Sequence, residues 1–246
     1  MEAQSKDMKT ELFQYLKNPL YWAVIGLGLS FRTVLAYFDR LYREPQFWEL
    51  AADFWNKTGS VTVGFLTLLV VIHRFSYDVE VGVFSAINST AYGRLSLFWN
   101  RLTSGGLAVI LSVLLLYAGN IGVSFFWGSK ISMPYGWIRS FTYTTAITLV
   151  GAVGYFGVSA MICDLTKNHP IAMCLCGLPF ASSYFVNAGA VKSFDVFWFF
   201  RYGFFTELVR GRAIVSLPVF WLIWYFVLIS LILFLTIKER RGNKEL

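Results

Sequence analysis

Asp78, Glu80, Arg94 and Arg101 fall within one polar stretch, Phe75 to Leu102 (FSYDVEVGVFSAINSTAYGRLSLFWNRL), between two segments apolar enough to cross a bilayer. Carboxylates and guanidinium groups so grouped can form charge-assisted hydrogen bonds across a partner surface, which are stronger than neutral ones. The competing reading is a solvated loop, in which isolated rim charges contribute little. Catalytic spacing is absent elsewhere. The chain has no H-E-x-x-H zinc motif and no G-x-x-x-x-G-K-[ST] loop to cradle phosphates. It has no G-x-S-x-G nucleophile elbow either. Cys163, Cys174 and Cys176 are odd in number, and Cys174-x-Cys176 lacks the second ligand pair of a structural zinc site. They read as ordinary small residues of a membrane segment.

These residues sit in a chain that cannot solvate a globule. Of 246 residues, 57% are apolar and only 14% charged, against about 25% charged in soluble domains. The expectation is an all-α integral membrane protein. A helix needs roughly 20 apolar residues to cross the hydrocarbon core, and six such segments can be marked, which leaves no room for a separate soluble domain. The net charge of +7 suits anionic headgroups or an acidic partner. The basic residues are scattered singly, so nucleic acid is not an expected partner.

Along the chain, Met8, Leu12, Phe13 and Leu16 share one helical face, with Lys9, Glu11, Gln14 and Lys17 on the other. This predicts an interfacial helix over 8–17, ended by Asn18-Pro19. The mixed charges before the first apolar run do not form a signal peptide. The first span is expected from Leu20 to about Phe38, with Arg32 inside it and snorkelling outward toward water near Asp39. Asp39 to Lys57, with Pro45, Trp48 and Trp55, reads as an interfacial loop or short helix. The second span is expected within Phe54 to Phe75, closed by His73 and Arg74, with His73 capping the helix. The third runs from about Leu102 to Trp127 and the fourth from Ile138 to Cys163. Gly151, Gly154 and Gly157 of the fourth favour tight helix packing. The fifth begins at Pro170 and ends near Ala190, and the sixth covers about Leu217 to Ile237.

Between the last two lies 191–216, which includes FDVFWFFRYGFF and then Glu207, Arg210 and Arg212. It is too polar for a full span and too apolar for a free loop. A pair of short helices dipping into the membrane reconciles the two, with an interfacial aromatic belt as the simpler alternative. Six spans put both termini on one side, and the basic tail Lys238, Arg240, Arg241 and Lys244 makes that side the cytoplasm. No carboxylate lies within the expected spans, which argues against ion-coupled transport. Energy for any uphill movement would come from another chain.

Glu80, Gly82, Ser89-Thr90, Gly93-Arg94 and Arg101-Leu102, in this order between two spans, resemble the cytoplasmic loop of the ABC type-2 transporter permeases. That loop has a Glu, a Gly two residues on, two hydroxyl residues and Pro, a Ser-Arg pair and a Lys-Leu pair. Here Ala91 stands where Pro is usual and Gly93 where Ser is. The layout of the whole chain is also similar. The resemblance implies a single permease domain over 1–246, in which 76–101 is a coupling loop seated in a separate ATP-binding subunit. Asp78, Glu80, Gly82, Ser89, Thr90, Arg94 and Arg101 would make that contact. A second permease copy or a related chain would complete the pathway, in the plasma membrane of a bacterial cell. ATP and magnesium would belong to the partner, so this chain is expected to have no cofactor and no catalytic or metal site of its own. Phe197, Trp198, Arg201, Phe204, Phe205 and Glu207 would form an outer gate or substrate region. The implied activity is export of an amphipathic substrate such as an antimicrobial peptide or drug. The alternatives are a polysaccharide- or lipid-exporting permease and a membrane scaffold with no transport role.

Overall fold

Asn18-Pro19 does what this dipeptide predicts. The Asn18 side chain accepts a hydrogen bond from the Leu20 N–H at 3.0 Å, and Pro19 opens the helix α1, Pro19–Arg43. Proline at the first helical position gives up an N–H that has no partner there in any case. The structure is a computed structural model that describes residues 13, 15–54, 58–75, 91–128, 137–166 and 170–177, with residues 226, 229, 230, 233 and 237 of a later helical stretch. After α1 come α2, Phe47–Phe54; α3, Ser60–Phe75; α4, Ala91–Trp127; and α5, Trp137–Thr166. Among the described residues every regular element is helical.

The long helices run up and down. Tyr21 of α1 lies beside Ser112 of α4, and Arg32 beside Asn120, so α1 and α4 are parallel. α3 returns antiparallel, with its Thr62 against Gly28 of α1 and its His73 against Tyr15. α4 is central and packs against α1, α2, α3 and α5. Three stretches are long and apolar enough to cross a membrane: Pro19–Arg43, Phe98–Trp127 and Thr148–Thr166. They correspond to the first, third and fourth expected spans. Val61–His73 of α3 is a shorter apolar helix, in the place of the second. The fifth expected span is described only at 170–177, which is helical. The region 191–216 lies outside the described residues.

Tyr21, Ile25, Gly28, Arg32 and Ala36 form the buried stripe of α1, at the helical spacing that aligns side chains on one face. Gly28 meets Thr62, and Gly119 of α4 meets Leu29, so close that a Cβ on either glycine would clash. Gly151 is buried, while Gly154 and Gly157 are half-buried. Three buried hydroxyls inside these helices are satisfied locally. Thr62, Thr67 and Ser112 donate to the carbonyls of Thr58, Val63 and Ala108, one turn back. The 170–177 segment docks on α5 through Tyr155, which donates to the Cys176 carbonyl at 3.1 Å. All three cysteines are free thiols, Cys163 and Cys176 buried and Cys174 exposed.

The second expected span holds α3, Ser60–Phe75, and the loop or short helix expected over Asp39 to Lys57 contains α2, which ends at the fully buried Phe54. The spanning-length stretch of the third begins at Phe98, four residues ahead of Leu102, on a helix continuous from Ala91. One expectation changes: Arg32 does not snorkel; it is fully buried. At the N-terminal segment, residues 15–17 are helical and Tyr15 points inward, 1% exposed, its ring 6.3 Å from that of His73. His73 is thus half-buried against an aromatic ring as well as ending a helix.

Candidate functional site

The charged stretch between α3 and α4 was the first candidate. Of its residues, Asp78, Glu80, Gly82, Ser89 and Thr90 lie outside the described residues, whereas Arg94 and Arg101 are on α4. Phe197, Trp198, Arg201, Phe204, Phe205 and Glu207 also lie outside them. The two ends of the stretch are well defined. Phe75 closes α3 and Phe98 lies in the second turn-pair of α4, and their rings meet edge to face at 5.7 Å. Phe156 of α5 joins them, 6.5 Å from Phe75, and its ring also abuts Gly105 of α4. The feet of the charged segment therefore stand on one aromatic cluster shared by α3, α4 and α5.

At about 1.5 Å per residue, the 37 residues of α4 extend about 55 Å. The hydrocarbon core is about 30 Å thick, so α4 projects well beyond it. Its apolar stretch begins only at Phe98. The turns carrying Arg94 thus belong to the projecting end and are continuous with the span. Arg101 is half-buried, and Asn100 and Ser104 beside it are buried.

The second polar site was not anticipated. Arg32 of α1 donates from Nε to Asn120 Oδ1 of α4 at 3.3 Å, and from Nη2 to the carbonyl of Leu50 in α2. Asn120 in turn donates from Nδ2 to the carbonyl of Ala51 at 3.0 Å. Ser124 Oγ lies 3.4 Å from Asn120 Oδ1. Arg32, Asn120 and Ser124 are all fully buried. Arg32 and Asn120 thus hold two successive backbone carbonyls midway along α2 from two different helices. A signal for this site does exist in the sequence: Arg32 falls on the Ile25, Gly28, Ala36 face, and Ser104, Ser112, Asn120 and Ser124 recur at multiples of four along α4. Among the described residues no group of His, Cys, Asp and Glu could hold a metal ion.

Fold and site together define a helical membrane protein, with at least three spanning-length helices and a buried polar clasp in the bundle. Comparison of the sequence with models of known families finds no match, and comparison with curated proteins finds none either.

Proposed function

We propose that the chain is the membrane-spanning permease subunit of an ATP-driven exporter of the ABC type-2 kind, with six spans and both termini in the cytoplasm. The region 191–216 would form a re-entrant helical pair before the last span. The observation that carries the reading is the ordered set Glu80, Gly82, Ser89-Thr90, Arg94 and Arg101-Leu102, between two apolar helices whose facing ends touch through Phe75 and Phe98. In this reading 76–101 seats in a separate ATP-binding subunit, which supplies ATP and magnesium, and a second permease copy or a related chain completes the pathway. Asp78, Glu80 and Arg94 make charge-assisted contacts with the ATPase. Its closure moves the permease as a rigid body between two states. The continuity of α4 from Ala91 to Trp127 supports such transmission, because a push on the turns bearing Arg94 acts directly on a spanning helix. The cargo class is an amphipathic peptide or drug.

The test is recovery of the tagged chain from its native membranes. A co-purifying protein with vanadate-sensitive ATPase activity, lost in Glu80→Ala or Arg94→Ala chains that insert normally, is the expected result. Recovery of the chain without any ATPase, together with an unchanged export or resistance phenotype in both variants, would favour a scaffold instead.

A further inference from the structure

We propose that α2 is a movable latch at the end of the bundle where α1 and α4 close, and that Arg32 and Asn120 are the clasp that holds it shut. Four observations carry this. First, two successive carbonyls midway along α2 are gripped from two directions: Leu50 by Arg32 of α1 and Ala51 by Asn120 of α4. Both grips hold only while α1 and α4 keep one axial register. A shift by a single residue, about 1.5 Å along a helix, would break hydrogen bonds of this length.

Second, those two helices approach closely beside the clasp. Gly119, next to Asn120, lets the Leu29 side chain lie against the α4 backbone, where any Cβ would collide with its methyl groups at 2.7 Å. Third, the Phe47 end of α2 is a pivot. Gly128 at the end of α4 lies against the backbone of Phe47, with 2.9 Å from its Cβ position to the Phe47 Cα. Just before α2, Glu44 is the left-handed C-cap that ends α1, at φ 46°, ψ 57°. Fourth, the clasp is polar where packing alone would serve. Phe47, Leu50, Ala51 and Phe54 are already buried. A buried guanidinium adds little net stability over apolar packing, and its best-attested use is to specify one arrangement over another.

Opening would leave the Phe47 end of α2 seated on α4 and expose Leu50 and Phe54. The inference makes no use of a partner ATPase, so its failure and that of the exporter reading are separable.

The test uses the full chain with Cys163, Cys174 and Cys176 replaced by alanine, reconstituted in liposomes and probed with N-ethylmaleimide. The reporter is Leu50→Cys on α2, with Val113→Cys in the bundle core as the control; both parent residues are almost fully buried. In the parent background both thiols should react slowly. Asn120→Leu and Arg32→Met should raise the Leu50→Cys rate at least tenfold and leave the Val113→Cys rate unchanged. Arg32→Lys, which keeps the charge but loses the fork that reaches two partners, should give an intermediate rate. An unchanged Leu50→Cys rate in all three variants overturns the proposal, because packing alone then seats α2. Rates that rise together at both reporters also overturn it, because the clasp then holds the whole bundle and not the latch.

Discussion

The rings of Phe75 and Phe98 meet edge to face at 5.7 Å, and this one contact joins the end of α3 to α4 where its spanning-length stretch begins. The charged segment between them is thereby fixed at both feet. Phe98 is 7% exposed, so Phe98→Ala removes a nearly buried aromatic side chain, a change that typically costs about 3–5 kcal/mol. Phe75 is only half-buried, and Phe75→Ala should cost less. A double-mutant cycle, read from thermal unfolding in detergent, should return a coupling of about 0.5–1.5 kcal/mol for the edge-to-face pair. Strict additivity of the two single changes would show that the rings are neighbours without interaction.

Gly105 and Gly106 are adjacent on α4 and make opposite predictions. A Cβ on Gly105 would lie 2.4 Å from the ring of Phe156, whereas nothing stands within 4 Å of the Cβ position of Gly106. Gly105→Ala should therefore destabilise the α4–α5 contact by about 1–3 kcal/mol, the usual range for overpacking. Gly106→Ala should be neutral, or stabilising by up to about 1 kcal/mol through helix propensity. Adding Phe156→Leu, which shortens the obstructing side chain, should recover part of the Gly105→Ala loss. Thermal midpoints of the four proteins check the order.

The same glycines show what sequence alone reveals. Apolar runs and breakers carry strong local signals, so Pro19 and the span-length helices were visible, with ends misplaced by a few turns at most. Which helix meets which depends on contacts that local spacing does not encode. Gly105 is no more conspicuous in the sequence than Gly151, yet it is the one against Phe156. Arg32 lies near Asp39 in the sequence, which points it toward water by the nearest route. Its actual partners are 18 and 88 residues away in the chain, a backbone carbonyl midway along α2 and the Asn120 side chain of α4, which only the packed bundle brings to it.

Tyr21 tests how much a polar contact between two spanning-length helices contributes. Its hydroxyl lies 2.8 Å from Ser112 Oγ, while Ser112 itself donates to the Ala108 carbonyl at 2.7 Å. Tyr21→Phe thus leaves Ser112 with a partner and removes one interhelical hydrogen bond with little change in volume. The expected loss is about 0.6 kcal/mol, the mean for such contacts between membrane helices. Ser112→Ala should cost a similar amount, and the double variant little more than either. A loss several times larger for Tyr21→Phe alone would mean that the hydroxyl also holds α1 in register along α4.

The thiols report on the junction of α5 with the 170–177 segment. Cys174 is exposed, whereas Cys163 and Cys176 are buried, with Cys176 Sγ 3.9 Å from the Ser159 carbonyl. Thiol reactivity follows exposure and thiolate character. In detergent, N-ethylmaleimide should therefore modify one thiol per native chain, at Cys174, and all three after denaturation. Cys174→Ala should abolish the native modification. Tyr155→Phe removes the hydrogen bond to the Cys176 carbonyl without changing the ring. If that bond helps to dock the segment on α5, Cys176 should become reactive in Tyr155→Phe while Cys163, held within the continuous α5, stays protected; mass spectrometry of the labelled peptides separates the two.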